Sequence, residues 1–305
     1  MRQQLRAFKL ANSAVVVKNG RTVISMHRQN SADTMYLINS TQKSMTAAMI
    51  LKAANAGKLS LSDKLSKYYP QITGSDQVTI KNLLNMTYGL DYRVGYRGIK
   101  HYVSDEATLQ QAAENTAFDA AKLGKWHYTS LNFVLLSGIL SQTLGKSYEQ
   151  LYQEEFIKPL GLKHTIFAWD KQRQLYPWVP GHINGKVYPF NKTLLATHND
   201  LGAGSLLMST PDLAKVMYYI LAGKLLTAKD HQYIQTSSLK NGYNCGYYHR
   251  RGIAAANGAG DGYYTFFRST NDGRTMLLLQ TNQTKGNFKQ IKRFINNLMK
   301  SVTKM

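Results

Sequence analysis

The chain has 305 residues, 43% of them hydrophobic, which is enough for a substantial core and indicates a globular protein rather than a disordered one. It carries 38 Lys and Arg against 17 Asp and Glu, and the net charge of +21 favours anionic partners such as nucleic acid, an anionic membrane or a cell-wall polymer. No apolar run is long enough to span a bilayer. The single cysteine, Cys245, excludes an internal disulfide and a cysteine-based zinc site.

The first predicted elements are strands. Asn19-Gly20 lies between Val15-Val16-Val17 and Thr22-Val23-Ile24, and an Asn-Gly pair between β-branched runs is the strongest short signal of a β-hairpin. After Ser40 the pattern becomes helical until Pro159-Leu160-Gly161 ends it. Helices are predicted over about residues 41–56, 79–86, 106–117, 130–143 and 147–157.

Ser40 and Lys43 stand at positions i and i+3 at the start of the first predicted helix, so their side chains share one face, about 5–6 Å apart at Cβ. A serine hydroxyl becomes a good nucleophile when a neighbouring base accepts its proton. Lys43 can do so only as a neutral amine, a form that burial against the apolar run after Met45 would favour. The Ser-x-x-Lys spacing recurs at Ser237 and Ser301, but neither serine precedes a buried helix. Ser40 could also simply cap its helix.

Tyr128, Ser130 and Asn132 form a polar cluster just before the apolar helix predicted over about 130–143. Tyr128 could relay a proton between the nucleophile, Lys43 and a leaving group. The alternative is a tyrosine that only packs at a helix start.

The second half of the chain returns to strands. Its signals are an Asn-Gly hairpin at 184–185, a helix start at 210–212, strands at 263–267 and 275–279, and a terminal helix over about 286–300. Strands at both ends with helices between them predict an α/β (α+β) fold, in which an antiparallel sheet formed from both chain ends is flanked by helices and carries a mostly helical inserted subdomain. We expect a single domain over 1–305, with its α/β part at about 1–50 and 240–305 and its mainly helical part at about 51–239.

A glycine-rich segment, Ala256 to Gly262, precedes the strand predicted at 263–267. Backbone N–H groups there could make half of an oxyanion hole, with the Ser40 N–H supplying the rest. A flexible turn is the alternative explanation of the glycines.

The Ser-x-x-Lys, tyrosine and glycine-rich segments resemble, in order and spacing, the serine β-lactamase and penicillin-binding-protein superfamily, and most of all its class-C-β-lactamase-like branch. The resemblance covers roughly residues 12–300 and implies a β-lactamase-like transpeptidase fold. Further segments that are similar to landmarks of that branch are Gly57-Lys58-Leu59-Ser60-Leu61-Ser62-Asp63, Tyr69-Pro70, Thr79 to Leu84, Thr87-Tyr88-Gly89-Leu90, Pro159-Leu160-Gly161-Leu162 and Gly204 to Leu213.

The resemblance also implies roles for individual residues. Ser40 would be the acylated nucleophile, Lys43 the base and Tyr128 the proton relay, and the N–H groups of Ser40 and Ala259 would form the oxyanion hole. The acyl group would then pass to water, with no metal and no cofactor. The remaining candidates for contact with substrate or oxyanion are Ser130, Asn132, Asn257 and Gly258.

Two departures from the family pattern bear on the substrate. Ser130 stands where the family usually has Asn, and Ala256-Asn257-Gly258 stands where it usually has a cation, a hydroxyl residue and Gly. Losing one charge-assisted hydrogen bond removes about 1.5–3 kcal/mol of binding free energy. The site is therefore predicted to be poorly suited to a substrate with a free carboxylate.

A D-alanyl ester has a cationic amine and no free carboxylate, and teichoic or lipoteichoic acid would present it on an anionic polymer. The sequence thus predicts a serine hydrolase similar to the teichoic-acid D-alanine esterase subset of the superfamily, acting outside the cell in the envelope, with any N-terminal signal or membrane anchor lying outside this sequence. A D,D-carboxypeptidase or weak β-lactamase acting on peptidoglycan stem peptides is the enzymatic alternative. A catalytically dead wall-polymer-binding protein is the non-enzymatic one. Nucleic acid is not an expected partner, because no recognition motif is evident.

Overall fold

The computed structural model describes residues 1–10, 12–28, 30–222 and 225–304. Its strands are β1 (Ser13–Lys18), β2 (Arg21–His27), β3 (Met35–Leu37), β4 (Tyr88–Tyr92), β5 (Thr116–Leu123), β6 (Thr165–Phe167), β7 (His182–Ile183), β8 (Lys186–Val187), β9 (Leu206–Ser209), β10 (Tyr243–Asn244), β11 (Tyr247–Arg250), β12 (Ile253–Gly260), β13 (Tyr263–Thr270), β14 (Met276–Thr281) and β15 (Gln283–Thr284). Its α-helices are α1 (Arg2–Ala7), α2 (Lys43–Asn55), α3 (Ile80–Asn85), α4 (Asp105–Glu114), α5 (Leu131–Leu144), α6 (Tyr148–Tyr152), α7 (Lys158–Leu160), α8 (Phe190–Asn199), α9 (Thr210–Leu221), α10 (Ala228–Gln235) and α11 (Phe288–Lys304).

The main sheet joins the two ends of the chain. Its strand order is β10-β11-β12-β13-β14-β1-β2, and every neighbouring pair is antiparallel. Val15 of β1 lies opposite Leu278 of β14 on one side and Ser25 of β2 on the other. The predicted fold class is therefore confirmed, whereas the division of the chain near residues 50 and 240 stays a prediction.

Helices cover both faces of this sheet. On one face, α11 packs its apolar side, including Ile291 and Ile295, against Phe266 and Leu277. On the other face, α2 and α9 pack against Val15 and lead into the helices of the inserted region. The sheet is thus a middle layer: α11 packs over β13 and β14, and the 3-10 turn Asn39–Gln42 that precedes α2 lies against β12 and β13.

The predicted hairpins are confirmed at Asn19-Gly20, where both residues have positive φ, and at Asn184-Gly185 between β7 and β8. The helix predicted over 106–117 is shorter, because Thr116 begins β5, which pairs with β4. The glycine-rich segment does not merely precede a strand. Its first half, up to Gly260, forms β12 and pairs along β13.

None of the helices in the described ranges combines the length and apolar character that a bilayer-spanning helix needs.

Candidate active site

Ser40 lies in a single tight 3-10 turn, Asn39–Gln42, that leads directly into α2. Asn39 has φ +47°, a left-handed conformation that few residues other than glycine adopt, immediately before the serine. The Lys43 Nζ donates a hydrogen bond to Ser40 Oγ at 3.0 Å. Ser40 is not the cap of α2, since Gln42 occupies the N-cap position. The capping alternative is therefore wrong for α2, and the role of Ser40 as nucleophile stays a prediction.

Lys43 is buried among neutral groups, with the Asp200 carboxyl as an acidic neighbour. Its side chain is 1% exposed, and Nζ also donates a hydrogen bond to the carbonyl oxygen of Ala203 at 3.2 Å. The Tyr128 ring centroid lies 5.3 Å from Nζ and that of Phe133 lies 6.0 Å away. These contacts fix the amine beside the serine hydroxyl, where a proton can pass directly between the two atoms.

Buried polar contacts hold the Ala203 carbonyl in place. The Gln42 side-chain oxygen accepts hydrogen bonds from the backbone and the hydroxyl of Ser205, and Thr46 Oγ1 donates one to the Gly202 carbonyl at 2.6 Å. These three bonds tie the loop before β9 to α2 and to its N-cap residue. The position of the base thus depends on a loop whose Ala203 lies 160 residues further along the chain than Lys43.

Glycines bring the edge of β12 against the turn that carries Ser40. A Cβ atom on Gly258 would lie 2.0 Å from the Ile38 carbonyl oxygen, and one on Gly260 would lie 2.9 Å from Asn39 Oδ1. Asn39 Nδ2 also donates a hydrogen bond to the Gly260 carbonyl at 3.3 Å. Ala259 lies between the two glycines, so its backbone borders the Ser40 turn, as an oxyanion-hole partner must. That role stays a prediction.

Tyr128, Ser130 and Asn132 differ in their exposure and in their position relative to the site. Tyr128 is 39% exposed and stands over Lys43, with Trp126 and Tyr243 as aromatic neighbours at 6.3 and 6.4 Å. Ser130 is partly exposed at the N-cap position of α5. Asn132 is fully buried, and its Nδ2 donates to the Leu83 carbonyl at 2.8 Å, so the structure places it beneath the site rather than at its surface.

In the third family motif, which is Ala256-Asn257-Gly258 in this chain, the structure differs from expectation at Asn257. Its Oδ1 accepts a hydrogen bond at 3.0 Å from Arg268, and it lies opposite Phe266, whose ring packs with α11. The side chain is therefore engaged on the α11 face of the sheet, and its predicted contact with substrate is not visible in the structure. Ala256 is buried in the core.

Two acidic residues next to the site were not singled out by sequence reasoning. Asp200 is a partly exposed neighbour of Lys43 and Ser130; desolvation raises its pKa, while the Lys43 charge and the Ser130 hydroxyl act in the opposite direction. Burial, with a contribution from the Asp200 charge, raises the pKa of Asp261 to about 7, against a hydrogen bond from Tyr188. Each lies beside the glycines that shape the site, Asp200 before Gly202 and Asp261 after Gly260, and that adjacency was the available signal.

We call the set formed by Ser40, Lys43, Tyr128, Asp200 and Asp261 the Ser40 site. Within the described residues, no three His, Cys, Asp or Glu side chains are grouped as metal ligands would be.

The fold and the Ser40–Lys43 pair define a class of protein, the serine hydrolases with a β-lactamase-like fold. Residues 10–298 match the Beta-lactamase family, and the chain belongs to it. A Bacillus subtilis (strain 168) protein named as the penicillin-binding protein PbpX is 26% identical over 291 residues. The match covers 91% of this chain and 72% of that protein. A Staphylococcus aureus protein named teichoic acid D-alanine hydrolase is 28% identical over 283 residues, or 89% of this chain and 68% of that protein.

Solved structures show the same fold. FmtA from Staphylococcus aureus superimposes with a TM-score of 0.85 at 23% identity, covering 99% of this chain and 86% of that one. D-amino acid amidase from Ochrobactrum anthropi SV3 gives a TM-score of 0.80 at 16% identity and covers 98% of each chain. At these identities the similarity shows the fold alone.

Proposed function

We propose that this protein hydrolyses D-alanyl esters of teichoic or lipoteichoic acid in the cell envelope, through an acyl-enzyme on Ser40. The observation that carries this proposal is the charge of the Ser40 site. Carboxylates border it at Asp200 and Asp261, while the family's usual cation is replaced by the buried Ala256. Such a site favours a cationic substrate group and disfavours a free carboxylate.

The chemistry follows from the contacts of Ser40. Its Oγ attacks the carbonyl carbon of the D-alanyl ester, and its proton passes to Lys43 Nζ, 3.0 Å away. The N–H groups of Ser40 and Ala259 would hold the resulting oxyanion. When the intermediate collapses, the ester bond to the polyol breaks and the leaving oxygen takes a proton from Lys43, directly or through Tyr128. Water then attacks the D-alanyl-Ser40 ester and gives up its proton to the same base, which releases D-alanine and restores Ser40.

The substrate amine would lie near Asp200. A D-alanyl ester keeps its α-amino group free and mostly protonated at neutral pH. A charge-assisted hydrogen bond from that ammonium to a carboxylate is worth about 1.5–3 kcal/mol, or roughly ten- to a hundredfold in binding. An N-acylated D-Ala-D-Ala peptide has no such cation and brings a carboxylate instead.

Arg268 is the cation to weigh against this proposal, because it contacts the third motif. It is only 2% exposed, and its Nε and Nη1 already donate to Asn296, Ala256, Asn257 and Phe267. A carboxylate entering beside Ser40 would have to displace those bonds. Arg268 therefore does not replace the missing cation of the third motif.

The relatives support the proposal to different degrees. The protein named teichoic acid D-alanine hydrolase favours an ester substrate on an anionic polymer, and PbpX favours the D,D-carboxypeptidase alternative. The hydrogen-bonded Ser40–Lys43 pair argues against a catalytically dead binder, which would need neither.

The deciding experiment compares two substrates. Purified enzyme should release D-alanine from D-alanylated lipoteichoic acid much faster than from a stem peptide ending in D-Ala-D-Ala, and Ser40→Ala should do neither. Faster release from the peptide would replace this proposal with the carboxypeptidase alternative.

A further inference from the structure

A second charged site lies between the sheet and α11. Strands β11, β12 and β13 form its floor and α11 forms one wall, around a cavity of about 1180 Å³. We call this cavity the α11 groove. Within the part of the chain that the structure describes, no Asp or Glu lines it, whereas Arg and Lys side chains line it on both sides. Its chemistry is that of a receptor for anions.

The wall contributes a line of cations. Lys289, Lys292, Arg293 and Lys300 line the groove, and their spacing of three, four and eleven residues from the first puts them on one side of α11. Eleven residues of helix rise about 16 Å. Ile295 and the rest of the apolar side of α11 are buried on the sheet, so the helix cannot turn these cations away. The groove therefore presents an extended row of charge rather than a point.

Further cations come from the opposite side and the floor. Arg250 and Arg251 lie at the β11–β12 turn, and Arg268 lies in β13. These groups lie about 20 to 40 residues before α11 in the sequence, so no single basic segment indicates the site. Within the described ranges, none of the groove's cations forms an ion pair with a carboxylate.

Arg268 on the floor is a buried, hydrogen-bonded side chain rather than a surface one. It is 2% exposed, and Asn296 and Asn257 accept its hydrogen bonds at 2.6 and 3.0 Å, so its contacts orient the guanidinium without neutralising it. Burial lowers its pKa to about 10. Burial, and then the charges of Arg268 and Arg250, also lower the pKa of Lys292. These cations repel one another, and a bound anion would relieve that repulsion.

The shape of the groove favours a linear anionic chain. A flat lipid surface could meet the exposed lysines of α11 but could not enter the groove between α11 and the strands of its floor. A single-stranded nucleic acid would use aromatic rings for its bases to stack on, and Tyr248, which lines the groove, already packs edge-on against Tyr243 at 5.0 Å. A flexible phosphodiester chain without bases needs only the row of cations.

The groove and the Ser40 turn share β12 but lie against opposite faces of that strand. Asn257 lines the groove and is the residue before Gly258, which lies against Ile38. We propose that the α11 groove binds the phosphodiester backbone of a wall polymer and holds it along β12, the strand whose Gly258 and Gly260 lie against the Ser40 turn. The phosphodiester chemistry rests on the groove itself. The identity of the polymer as a teichoic acid rests on the proposed function.

Binding can be measured without any ester chemistry. The probe is alkali-treated lipoteichoic acid, a glycerol-phosphate chain stripped of D-alanine and acyl groups, titrated into the full chain carrying Ser40→Ala. In that background, Lys289→Gln, Lys292→Gln and Arg293→Gln together remove three groove cations from the exposed side of α11. The matched control, Lys58→Gln, Lys81→Gln and Lys163→Gln, removes three exposed cations elsewhere.

The groove variant should bind the chain at least about tenfold more weakly, and its log K against log salt should flatten by about two, since each lost phosphate contact lowers the slope by about 0.7–0.9. The control should bind nearly as the parent does. Equal weakening in both variants would mean diffuse attraction by net charge and would overturn the proposal. So would a groove variant that loses binding only to phosphatidylglycerol vesicles or to a single-stranded DNA oligonucleotide, because the groove would then serve a membrane or a nucleic acid. If the wild-type protein shows no esterase activity while polymer binding depends on the groove as expected, the proposed function is refuted and the groove proposal remains supported.

Discussion

The Ser40 site and the α11 groove both border β12, and their electrostatics are opposite. Around Ser40, Lys43 is joined by the carboxylates of Asp200 and Asp261, whereas around the groove the cations have no carboxylate partner within the described residues. The excess of cations that gives the chain its net charge of +21 is therefore represented in the groove and not at the site of chemistry. An anionic polymer that carries cationic esters would match both regions at once.

The two regions also differ in how firmly their charged side chains are held. Lys43 is buried and held by Ser40 and the Ala203 carbonyl, while the α11 cations are exposed. Exposed charges are screened by salt beyond about 8 Å at physiological ionic strength, and buried contacts much less. Changes at the Ser40 site should therefore alter the chemical step, and changes at the groove should alter binding and its salt dependence.

The largest effect should come from Ser40. Ser40→Ala should lower hydrolysis of a D-alanyl ester by at least about a thousandfold, because removal of a nucleophile abolishes the acyl-enzyme. Binding of the D-alanine-free polymer should stay unchanged. A fluorophosphonate should add one adduct, on Ser40, by peptide mass spectrometry. Labelling at Ser237 or Ser301, or labelling that persists in Ser40→Ala, would show that another Ser-x-x-Lys is the reactive one.

Lys43 should come next. Lys43→Met, which keeps the buried volume, and Lys43→Ala should each lower kcat by about a hundred- to ten-thousandfold, the usual range for loss of a general base. Circular dichroism should show a folded protein, and polymer binding should again persist. If turnover stays near normal, the base lies elsewhere, and Tyr128→Phe would be the next variant to measure.

Asp200 tests recognition of the amine. Asp200→Asn should raise KM for a small D-alanyl ester about tenfold, the value of one charge-assisted bond, and leave KM for its N-acetylated analogue unchanged. Asp76→Asn, at an exposed position, removes the same charge as a control. An equal rise in KM for both esters would mean that Asp200 acts on Lys43 rather than on the substrate.

Asp261 should give the smallest and most pH-dependent effect. Its pKa of about 7 means that it loses its charge as pH falls, so KM for the D-alanyl ester should rise a few-fold below pH 7. A carboxyl whose pKa is raised by folding binds its proton more tightly in the folded chain, so its contribution to the free energy of unfolding declines between about pH 4 and pH 7.

Asp261→Asn should therefore raise the free energy of unfolding by about 1–3 kcal/mol at pH 8 and much less at pH 4. Urea unfolding at both pH values measures this difference. Any benefit of Asn at this left-handed position, φ +51°, would be the same at both pH values. A pH-independent gain would contradict the account of the Asp261 charge.

The sequence predicted those features of the structure that depend on residues close together in the chain. The Asn19-Gly20 hairpin and the Ser40–Lys43 hydrogen bond follow from turn chemistry and from i, i+3 spacing on one helical turn. Asp200 and its coupling to Lys43 could not be predicted in this way. It depends on how the loop after α8 docks on α2 through Gln42 and Thr46, a tertiary contact that leaves no period in the sequence.

The same limit applies to the groove and to Asn257. No sequence pattern links Arg250 with Lys292, because the strand and the helix that carry them meet only through tertiary packing. Asn257 was placed toward substrate by its motif, but the direction of a strand side chain depends on register, and pairing opposite Phe266 puts it with Arg268. Register is fixed by the whole sheet, not by the motif.

The most direct test of the account is to trap the acyl-enzyme from the polymer itself. Wild-type protein mixed with D-alanylated lipoteichoic acid is quenched in acid and digested, and the peptide containing Ser40 is analysed by mass spectrometry. The account predicts a D-alanyl ester on Ser40 that is absent from Ser40→Ala and scarce when a D-Ala-D-Ala stem peptide replaces the polymer. An adduct formed readily from penicillin or the stem peptide, with none from lipoteichoic acid, would contradict it.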